Sequence, residues 1–272
     1  MRRHPPGPGR TVDGHVARKR YGQNFLADEH YVAKIVDAVG PRPGETIVEI
    51  GPGLGALTGA LVARAGRIVA VEIDRDLAAR LRERFGPDAL DLRVADALAF
   101  DFASLGDRLR VVGNLPYNIS SPLLFHLAGQ ASAIADLTVM LQKEVVARMT
   151  AAPSTPEYGR LTVMLRATFA VERLFVVPPG AFRPPPKVDS AVARLTPLRE
   201  HAPAIDDRAR FAAIVAAAFS QRRKTLRNAL GERVDAAQYA RAGVDPQRRG
   251  ETLSIDEFVA LANAGPGVIP RN

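Results

Sequence analysis

The sequence predicts an α/β fold in which a doubly wound parallel sheet is followed by a small all-helical C-terminal domain. Apolar runs of strand length alternate with helical patterns over most of the chain, which is typical of parallel strands joined by crossover helices. After about residue 197 no strand pattern remains and only helical periodicity continues. We therefore expect a disordered basic tail at 1–17, an α/β domain at 18–197 and a helical domain at 198–272.

The predicted strands and helices follow one another in a regular order. The first strand, "TIVEI", is followed by glycines and then by Leu54, Leu57 and Leu61 at helical spacing. Further strands are predicted at "RIVAVEID", "LDLRVAD", "LRVVGN" and "LTVMLQ", with helices at "LAARLRERF" and "KEVVARMT". Successive strands of this kind pair in parallel.

The C-terminal domain contains two clear helical patterns. The stretch "DRARFAAIVAAAFSQRRKTLRNALG" has apolar residues along one face and predicts one long helix that ends at Gly231. Ser254 and Glu257 form a capping-box signature, which predicts the start of a last helix that ends at Gly265.

Composition excludes several classes of function. The chain has 37 Lys and Arg against 29 Asp and Glu, a net charge of +8 and a pI near 10.3, which favours a polyanionic partner. It has no cysteine and its five histidines are scattered, so we expect neither a disulfide nor a metal site. No apolar run reaches the ~20 residues of a membrane span, and no hydrophobic segment follows the basic N-terminus, so we expect a cytoplasmic protein.

A glycine-rich turn follows the first predicted strand. Gly51, Gly53 and Gly55 lie where backbone amides can face a ligand, although tight turns also use glycine for steric reasons alone. Glu72 ends the next strand 21 residues after Gly51, where its carboxylate can accept hydrogen bonds from ribose hydroxyls; the alternative is a solvated acid. Asp96 follows the third strand and can meet an adenine edge or, alternatively, cap the next turn. Because the glycine turn, Glu72 and Asp96 lie at the ends of three successive predicted strands, we favour a nucleoside site.

The spacing of the glycines distinguishes two cofactors. In the dinucleotide fingerprint the third glycine comes three residues after the second, whereas here it comes after two, which disfavours a nicotinamide-dependent oxidoreductase. The pattern Glu49-x-Gly51-x-Gly53-x-Gly55 resembles instead the loop of S-adenosylmethionine-dependent enzymes. That resemblance implies a methyltransferase-type, Rossmann-like sheet with S-adenosyl-L-methionine as the methyl donor.

Four residues with distinct chemistry end the fourth predicted strand, namely Asn114, Leu115, Pro116 and Tyr117. The exocyclic amine of a nucleobase is a poor nucleophile because its lone pair is delocalised into the ring. The Asn114 side-chain oxygen and the Leu115 carbonyl, held by Pro116, would accept the amine hydrogens and redirect that lone pair towards an electrophile. The Tyr117 ring would stack on the base, an interaction of roughly 1–3 kcal/mol. In the alternative interpretation Asn114 caps a turn, Pro116 ends the strand and Tyr117 packs in the core.

These motifs occur together with others in a fixed order. The segments are "GQNFL" (22–26), "EIGPGLGALT" (49–58), "VEID" (71–74), "GNLPYNIS" (113–120), "QKEV" (142–145), "YGRL" (158–161), "FRPPPKVDSAV" (182–192) and "FSQRRKTLRN" (219–228). In this combination the chain resembles the ribosomal RNA adenine dimethyltransferase family, and within it the branch that acts on small-subunit (16S) RNA. The resemblance spans roughly residues 18–260, and "NLPYNIS" with "FRPPPKVDS" is its most specific part.

The resemblance implies functions for further residues. Asn24 and Leu26 would help to close over S-adenosylmethionine. Phe182 would stack on a flipped adenine opposite Tyr117, although without the family it would be assigned to the core. The residues expected to contact the cofactor or the target are Gly51, Gly53, Glu72, Asp96 and Asn114.

The implied activity is dimethylation of the exocyclic amino group of adenosines, two adjacent ones near the 3′ end of 16S rRNA, during maturation of the small ribosomal subunit. The resemblance implies a monomer that needs no metal and no membrane. Two alternatives remain: a large-subunit rRNA methyltransferase of the macrolide-resistance type, and a non-catalytic nucleic-acid-binding descendant such as the related mitochondrial transcription factors. The segment "FSQRRKTLRN" favours the small-subunit type, and the intact Asn114–Tyr117 motif argues against a non-catalytic protein.

Four basic residues, Arg222, Arg223, Lys224 and Arg227, follow one another with no acid between them. If the apolar face of the long predicted helix points inward, these side chains remain outside and can contact RNA phosphates. The alternatives are a solvated helix face, or an arginine that braces the helix against the other domain.

Overall fold

The computed structural model describes residues 11–12, 14–16 and 22–265. The strands in this part of the chain are β1 (Thr11–Val12), β2 (His15–Val16), β3 (Phe25–Leu26), β4 (Ile47–Ile50), β5 (Ile68–Glu72), β6 (Leu90–Val94), β7 (Leu109–Asn114), β8 (Ile134–Gln142), β9 (Phe169–Val177), β10 (Phe182–Arg183) and β11 (Ser190–Pro197). Seven of them form one sheet in the order β6-β5-β4-β7-β8-β11-β9. Strands β4 to β8 pair in parallel, and β11 is antiparallel to β8.

Helices connect the parallel strands. The α-helices in the described chain are α1 (Glu29–Val39), α2 (Ala56–Ala65), α3 (Arg75–Ala89), α4 (Ser120–Gly129), α5 (Lys143–Thr150), α6 (Arg160–Arg166), α7 (Arg208–Ser220), α8 (Leu226–Leu230), α9 (Ala236–Ala242) and α10 (Ile255–Asn263). The crossovers α2, α3 and α4 each lead from one parallel strand into another. The predicted fold class is therefore confirmed. In the described residues no helix is long and apolar enough to cross a membrane.

The central strands are largely apolar, as is typical of parallel strands that are buried on both faces. All four residues of β4 are buried, and Val111 and Val112 of β7 are fully buried beside them. Gly113 then lets β7 approach β4 closely, since a Cβ there would lie 2.6 Å from the Ile50 carbonyl oxygen. Because β4, β5, β6 and β7 pair in parallel, their carboxyl ends lie at the same edge of the sheet.

The N-terminal region differs from the sequence prediction where it is described. We predicted a disordered tail at 1–17, but β1 and β2 pair in antiparallel register, Thr11 with Val16 and Val12 with His15. Gly14 has φ +71°, which suits a tight hairpin between these two short strands. The rest of the predicted tail lies outside the described residues.

The chain divides into two compact units. The first comprises the described residues up to Val146 together with Glu172–Pro197; the second comprises Ala147–Val171 and the described residues from Leu198 onward. The chain thus enters the second unit at the predicted boundary of 197/198, but residues 147–171, which we assigned to the α/β domain, group with the helical unit. Burial explains this, because Tyr158 and Val163 contribute to the apolar core formed with α7 to α10.

The long helix predicted across 208–231 is wrong, since α7 ends at Ser220 and α8 begins only at Leu226. Gln221 leaves helical geometry with φ −133° and ψ 74°. The Leu226 amide donates to the Arg248 carbonyl at 2.7 Å, so the start of α8 is held by a distant segment and not by α7. The predicted capping box of the last helix is confirmed: Ser254 and Glu257 exchange both hydrogen bonds at the start of α10.

Candidate active site

A cavity of about 290 Å³ opens at the carboxyl ends of the parallel strands. This volume is close to the lower end of the range for small-molecule sites, about 300–1,000 Å³. Its lining includes nine of the residues predicted from sequence: Asn24, Gly51, Gly53, Glu72, Asp96, Asn114, Leu115, Pro116 and Tyr117. The structure therefore brings together in one cavity side chains that are almost a hundred residues apart in the chain.

The glycine turn after β4 needs glycine for conformational reasons. Gly51, Gly53 and Gly55 have φ values of +66°, +59° and +83°, which residues with a Cβ rarely adopt. A Cβ on Gly53 would also lie 2.9 Å from a ring carbon of Phe25. The turn is therefore compact, and it leaves room for the cavity between itself and β5.

Glu72 is held in place by backbone amides at the end of β5. Its Oε2 accepts a hydrogen bond from the Gly53 amide at 3.2 Å, and its Oε1 accepts from the Asp74 amide at 2.9 Å. The side chain is 5% exposed, and burial is the main cause that raises its pKa. Each carboxylate oxygen has two lone pairs, so both oxygens retain accepting capacity towards the cavity that Glu72 lines. Glu72 is thus an oriented acceptor and not a solvated acid.

Asp96 combines the two interpretations that its sequence position allowed. Its Oδ1 accepts a hydrogen bond from the Leu98 amide at 2.9 Å, which is the turn-capping geometry. The same side chain is exposed and borders the cavity. The cap therefore fixes the carboxylate at the cavity edge.

Asn114 has its amide group oriented by the N-terminal segment that precedes α1. The Nδ2 group donates to the backbone carbonyl of Asn24 at 2.8 Å. Because that bond identifies Nδ2, the other end of the amide, Oδ1, is an acceptor directed elsewhere, and no described residue donates to it. The Asn24 carbonyl thus sets which atom of Asn114 is available to a ligand.

The turn after Asn114 is closed by its own hydrogen bonds. The Pro116 carbonyl accepts from the Ile119 amide at 3.2 Å and from the Ser120 hydroxyl at 3.0 Å. The Leu115 amide donates to Met140 at 3.0 Å, which anchors the start of the turn to β8. Pro116 therefore lies inside a braced turn, as expected for a residue that stiffens the loop.

Tyr117 borders the cavity and is half-buried. Its phenol oxygen lies 2.6 Å from the Ser190 hydroxyl oxygen, and either group can be the donor. Burial raises the pKa of the phenol, so the ring stays neutral at physiological pH. Sequence reasoning did not identify Ser190, although it lies within the quoted segment "FRPPPKVDSAV".

Phe182 and Leu26 do not line this cavity. Residue Phe182 is 0% exposed and belongs to the main apolar core, so its predicted place opposite Tyr117 is not what the structure shows. The reason is the short antiparallel pairing of β10 with β3, which sets Phe182 opposite Leu26 and directs both into the core. Leu26 borders a smaller cavity of about 30 Å³ together with Gly51 and Asn114.

Glu49 is a buried acid beneath the glycine turn that sequence reasoning gave no separate function. Its Oε2 accepts a hydrogen bond from the Thr58 hydroxyl at 2.6 Å. Complete burial raises its pKa to about 7, and the nearby carboxylate of Glu72 acts in the same direction. Glu49 is therefore largely protonated below neutral pH.

This burial predicts a pH dependence of stability. The folded state holds the Glu49 proton more tightly than the unfolded chain, so the stability present below pH 4.5 is lost as the pH rises towards about 7. Relative to Glu49→Gln, the wild type should lose about 2–3 kcal/mol of unfolding free energy between pH 5 and pH 8. Urea denaturation at both pH values measures the difference, with Glu83→Gln on an exposed helix face as the control. Parallel pH profiles for wild type and Glu49→Gln would contradict the assignment.

The described residues contain no group of three or more His, Cys, Asp or Glu side chains that could hold a metal ion. The four predicted RNA-contacting residues lie in the second unit, where all four side chains are exposed. They lie on the turn between α7 and α8 and on α8 itself, and one of them is already paired. The Arg222 guanidinium binds Glu251 at 2.9 Å and also donates to the Pro156 carbonyl.

Four features define the class of this protein. The parallel strands lie in the order β6-β5-β4-β7, a glycine turn follows β4, an acid ends β5, and Asn-Leu-Pro-Tyr lies at the end of β7. Together they define the class of Rossmann-like methyltransferases that act on nucleic-acid amino groups. The model of one family, ribosomal RNA adenine dimethylase, matches residues 14–264. The chain belongs to that family.

Relatives of known name cover almost the whole chain. The ribosomal RNA small subunit methyltransferase A of Aromatoleum aromaticum is 58% identical over 257 residues, which are 94% of this chain and 97% of the relative. The protein of the same name from Laribacter hongkongensis is 55% identical and covers 92% of this chain and 96% of its own. The predicted resemblance to the small-subunit branch is therefore confirmed.

Two solved structures have the same fold over most of the chain. A dimethyladenosine transferase from Plasmodium falciparum superposes with a TM-score of 0.74 at 25% identity, covering 87% of this chain and 95% of that one. The 23S rRNA methyltransferase ErmE gives a TM-score of 0.65 at 29% identity, covering 89% and 99%. The large-subunit type is thus a more distant relative than the small-subunit proteins above.

Proposed function

We propose that the protein dimethylates the exocyclic amino group of adenosines in small-subunit (16S) rRNA, with S-adenosyl-L-methionine as methyl donor. The substrate is the immature small ribosomal subunit in the cytoplasm, the targets are two adjacent adenosines near the 3′ end, and the enzyme acts as a monomer without a metal. One observation carries the proposal: Asn114, whose Nδ2 group is bonded to the Asn24 carbonyl so that Oδ1 is left as an acceptor, lines the same cavity as Tyr117.

The residues of the cavity fit the proposed cofactor. Glu72 offers accepting oxygens for ribose hydroxyls, and Asp96 offers a carboxylate at the edge where an adenine amine would lie. Between them the lining is apolar, with Ile73 and Ala97 available to contact the faces of a purine ring. When bound, S-adenosylmethionine supplies a methyl group made electrophilic by the positive sulfonium.

The chain positions the attacking amine by accepting its hydrogens. Asn114 Oδ1 and the Leu115 carbonyl oxygen accept hydrogen bonds from the two N–H groups of the amine, and this orients the nitrogen lone pair towards the methyl carbon. As the new N–C bond forms and the C–S bond breaks, the nitrogen becomes cationic and acidic, so it can release its proton to water without a general base, while the two oxygens only accept hydrogen bonds from it. Positioning and electrostatics therefore supply most of the catalysis.

A second round of transfer uses the same acceptors. After the first methylation the nitrogen still carries one hydrogen, and either acceptor is sufficient to hold it. The Tyr117 ring keeps the plane of the base fixed in both rounds, because stacking does not depend on the number of methyl groups.

The proposed function is tested by following labelled methyl groups. The protein is incubated with labelled S-adenosylmethionine and, separately, small-subunit particles, large-subunit RNA and naked small-subunit RNA, and modified adenosines are mapped by mass spectrometry. We expect dimethyladenosine in small-subunit particles. Label that is found only in large-subunit RNA would support the macrolide-resistance type, and no transfer to any RNA would overturn the proposal.

The assignment of Glu72 predicts a loss of cofactor affinity. Replacing Glu72 by Gln removes the charge and keeps one accepting oxygen for the Gly53 amide, but the other end of the side chain no longer accepts from the Asp74 amide, so the melting temperature is measured as a control for folding. The ribose hydroxyls lose a charge-assisted acceptor worth roughly 1.5–3 kcal/mol, which corresponds to about a ten- to hundredfold rise in Kd. Calorimetry with S-adenosylmethionine measures the change, and RNA affinity serves as the control. Unchanged affinity in the folded variant would show that Glu72 only supports the glycine turn.

A further inference from the structure

Ser190 occupies a fixed position beside the proposed base-binding loop. It is the first residue of β11, is fully buried and pairs with Gln142 at the end of β8. Immediately before it, the Asp189 carbonyl accepts from the Lys143 amide at 3.0 Å, and the two side chains form an ion pair at 3.1 Å. The Ser190 hydroxyl is therefore carried by the first residue of a strand that is held to β8 by backbone pairing and by the ion pair beside it.

Tyr117 depends on that hydroxyl for a second point of attachment. Its backbone is fixed by the turn closed on the Pro116 carbonyl, and its phenol is fixed by Ser190 at 2.6 Å. A ring held at both ends cannot rotate about its Cα–Cβ bond without breaking the Ser190 bond.

The hydroxyl of Tyr117 needs an explanation that stacking does not give. A phenylalanine ring would stack on a base as well, and a half-buried hydroxyl costs free energy unless it is hydrogen-bonded. The described residues offer one partner for it, Ser190, and that partner is itself excluded from solvent. The pair therefore fixes a direction for the ring and does not contribute a contact to the ligand.

We propose that Ser190 is a positioning residue for methyl transfer. Its hydroxyl orients the Tyr117 ring so that a stacked adenine presents its amine to Asn114. Ser190 acts through Tyr117 and does not border the cavity. This role rests on the proposed function, because it requires a base on the Tyr117 ring.

A double-mutant cycle tests the role. We expect Ser190→Ala to lower the single-turnover methylation rate of small-subunit particles about three- to tenfold, with affinities for S-adenosylmethionine and RNA within twofold of wild type. Tyr117→Phe should cause a similar loss, and Ser190→Ala should add nothing further when Tyr117 is already phenylalanine. Ser190→Cys keeps the buried volume but offers only a weak donor, so it should resemble Ser190→Ala and provides a second variant.

Thr138→Val is the matched control. Thr138 lies in the same sheet with a buried hydroxyl that has no partner among the described residues, so removal of that hydroxyl should leave the rate unchanged. A wild-type rate for Ser190→Ala, or an equal loss from it in the Tyr117→Phe background, would overturn the role of Ser190 while leaving the proposed function intact. No transfer by the wild type would overturn both.

Discussion

Asn114→Ala is expected to lower the rate of methyl transfer about a hundred- to a thousandfold while RNA affinity stays within a fewfold of wild type. The magnitude is that of removing one preorganised hydrogen-bonding group at a site where charge develops. Asn114 acts on the reacting amine, and the amine gains its positive charge only as the bond forms. The loss should therefore appear in the chemical step and not in binding.

A second substitution tests whether the orientation of the Asn114 oxygen matters, and not only the presence of an oxygen at this position. Asn114→Asp retains an oxygen towards the amine but replaces the Nδ2 group that donates to the Asn24 carbonyl, so an oxygen would face an oxygen. We expect this variant to be slower than wild type by at least about tenfold, because the carboxylate must turn away from Asn24. Single-turnover assays with labelled S-adenosylmethionine measure both variants, with melting temperature as the control for folding. If Asn114→Ala retains activity within a fewfold of wild type, Asn114 is a turn residue and the mechanism is wrong.

Much of the site could be predicted because its determinants are local. Gly51, Glu72, Asp96 and Asn114 each lie at the end of a strand or within two residues of it, and the apolar pattern of those strands is evident in the sequence. Parallel pairing then brings the carboxyl ends of those strands to the same edge. No long-range contact had to be known in advance, since the order of strands along the chain was sufficient.

The features that were missed depend on contacts between distant segments. The burial of Phe182 follows from the pairing of β10 with β3, and nothing in "FRPPPKVDS" indicates that partner. Ser190 could be recognised only after β11 was placed beside the loop that carries Tyr117. The hairpin formed by β1 and β2 had a local signal, the Asp13-Gly14 turn dipeptide between Thr11-Val12 and His15-Val16, which the basic composition of the tail obscured.

The break between α7 and α8 changes the meaning of the basic residues. Helical periodicity continues through "FSQRRKTLRN", so a local pattern predicts an uninterrupted helix. Backbone bonds from Leu226 and Arg227 to the segment 246–248 override it. The result is a turn, 221–225, whose first four residues are exposed and in which Arg222 bonds to Glu251 and to the Pro156 carbonyl, both within its own unit.

That geometry selects the residues for the last prediction. Arg223→Glu combined with Lys224→Glu should weaken binding of small-subunit particles about a hundredfold at low salt and reduce the salt slope by about one per lost phosphate contact. Both side chains are exposed, and neither forms an ion pair with the described residues. Binding measured at several salt concentrations gives the slope. The affinity for S-adenosylmethionine should stay unchanged, because the cavity residues all belong to the first unit.

Two comparisons separate RNA contact from the alternatives. Arg208→Glu combined with Arg233→Glu changes the charge of the same unit by the same amount at other exposed positions, so it measures the effect of net charge alone. Arg222→Ala should lower the melting temperature, because it breaks the bonds to Glu251 and Pro156, and should leave the salt slope close to that of the wild type. An unchanged salt slope in the folded Arg223 and Lys224 double variant would show that these two side chains do not contact RNA phosphates and are only solvated. A slope that falls equally in the Arg208 and Arg233 control would show that RNA responds to the charge of the whole unit and not to this turn.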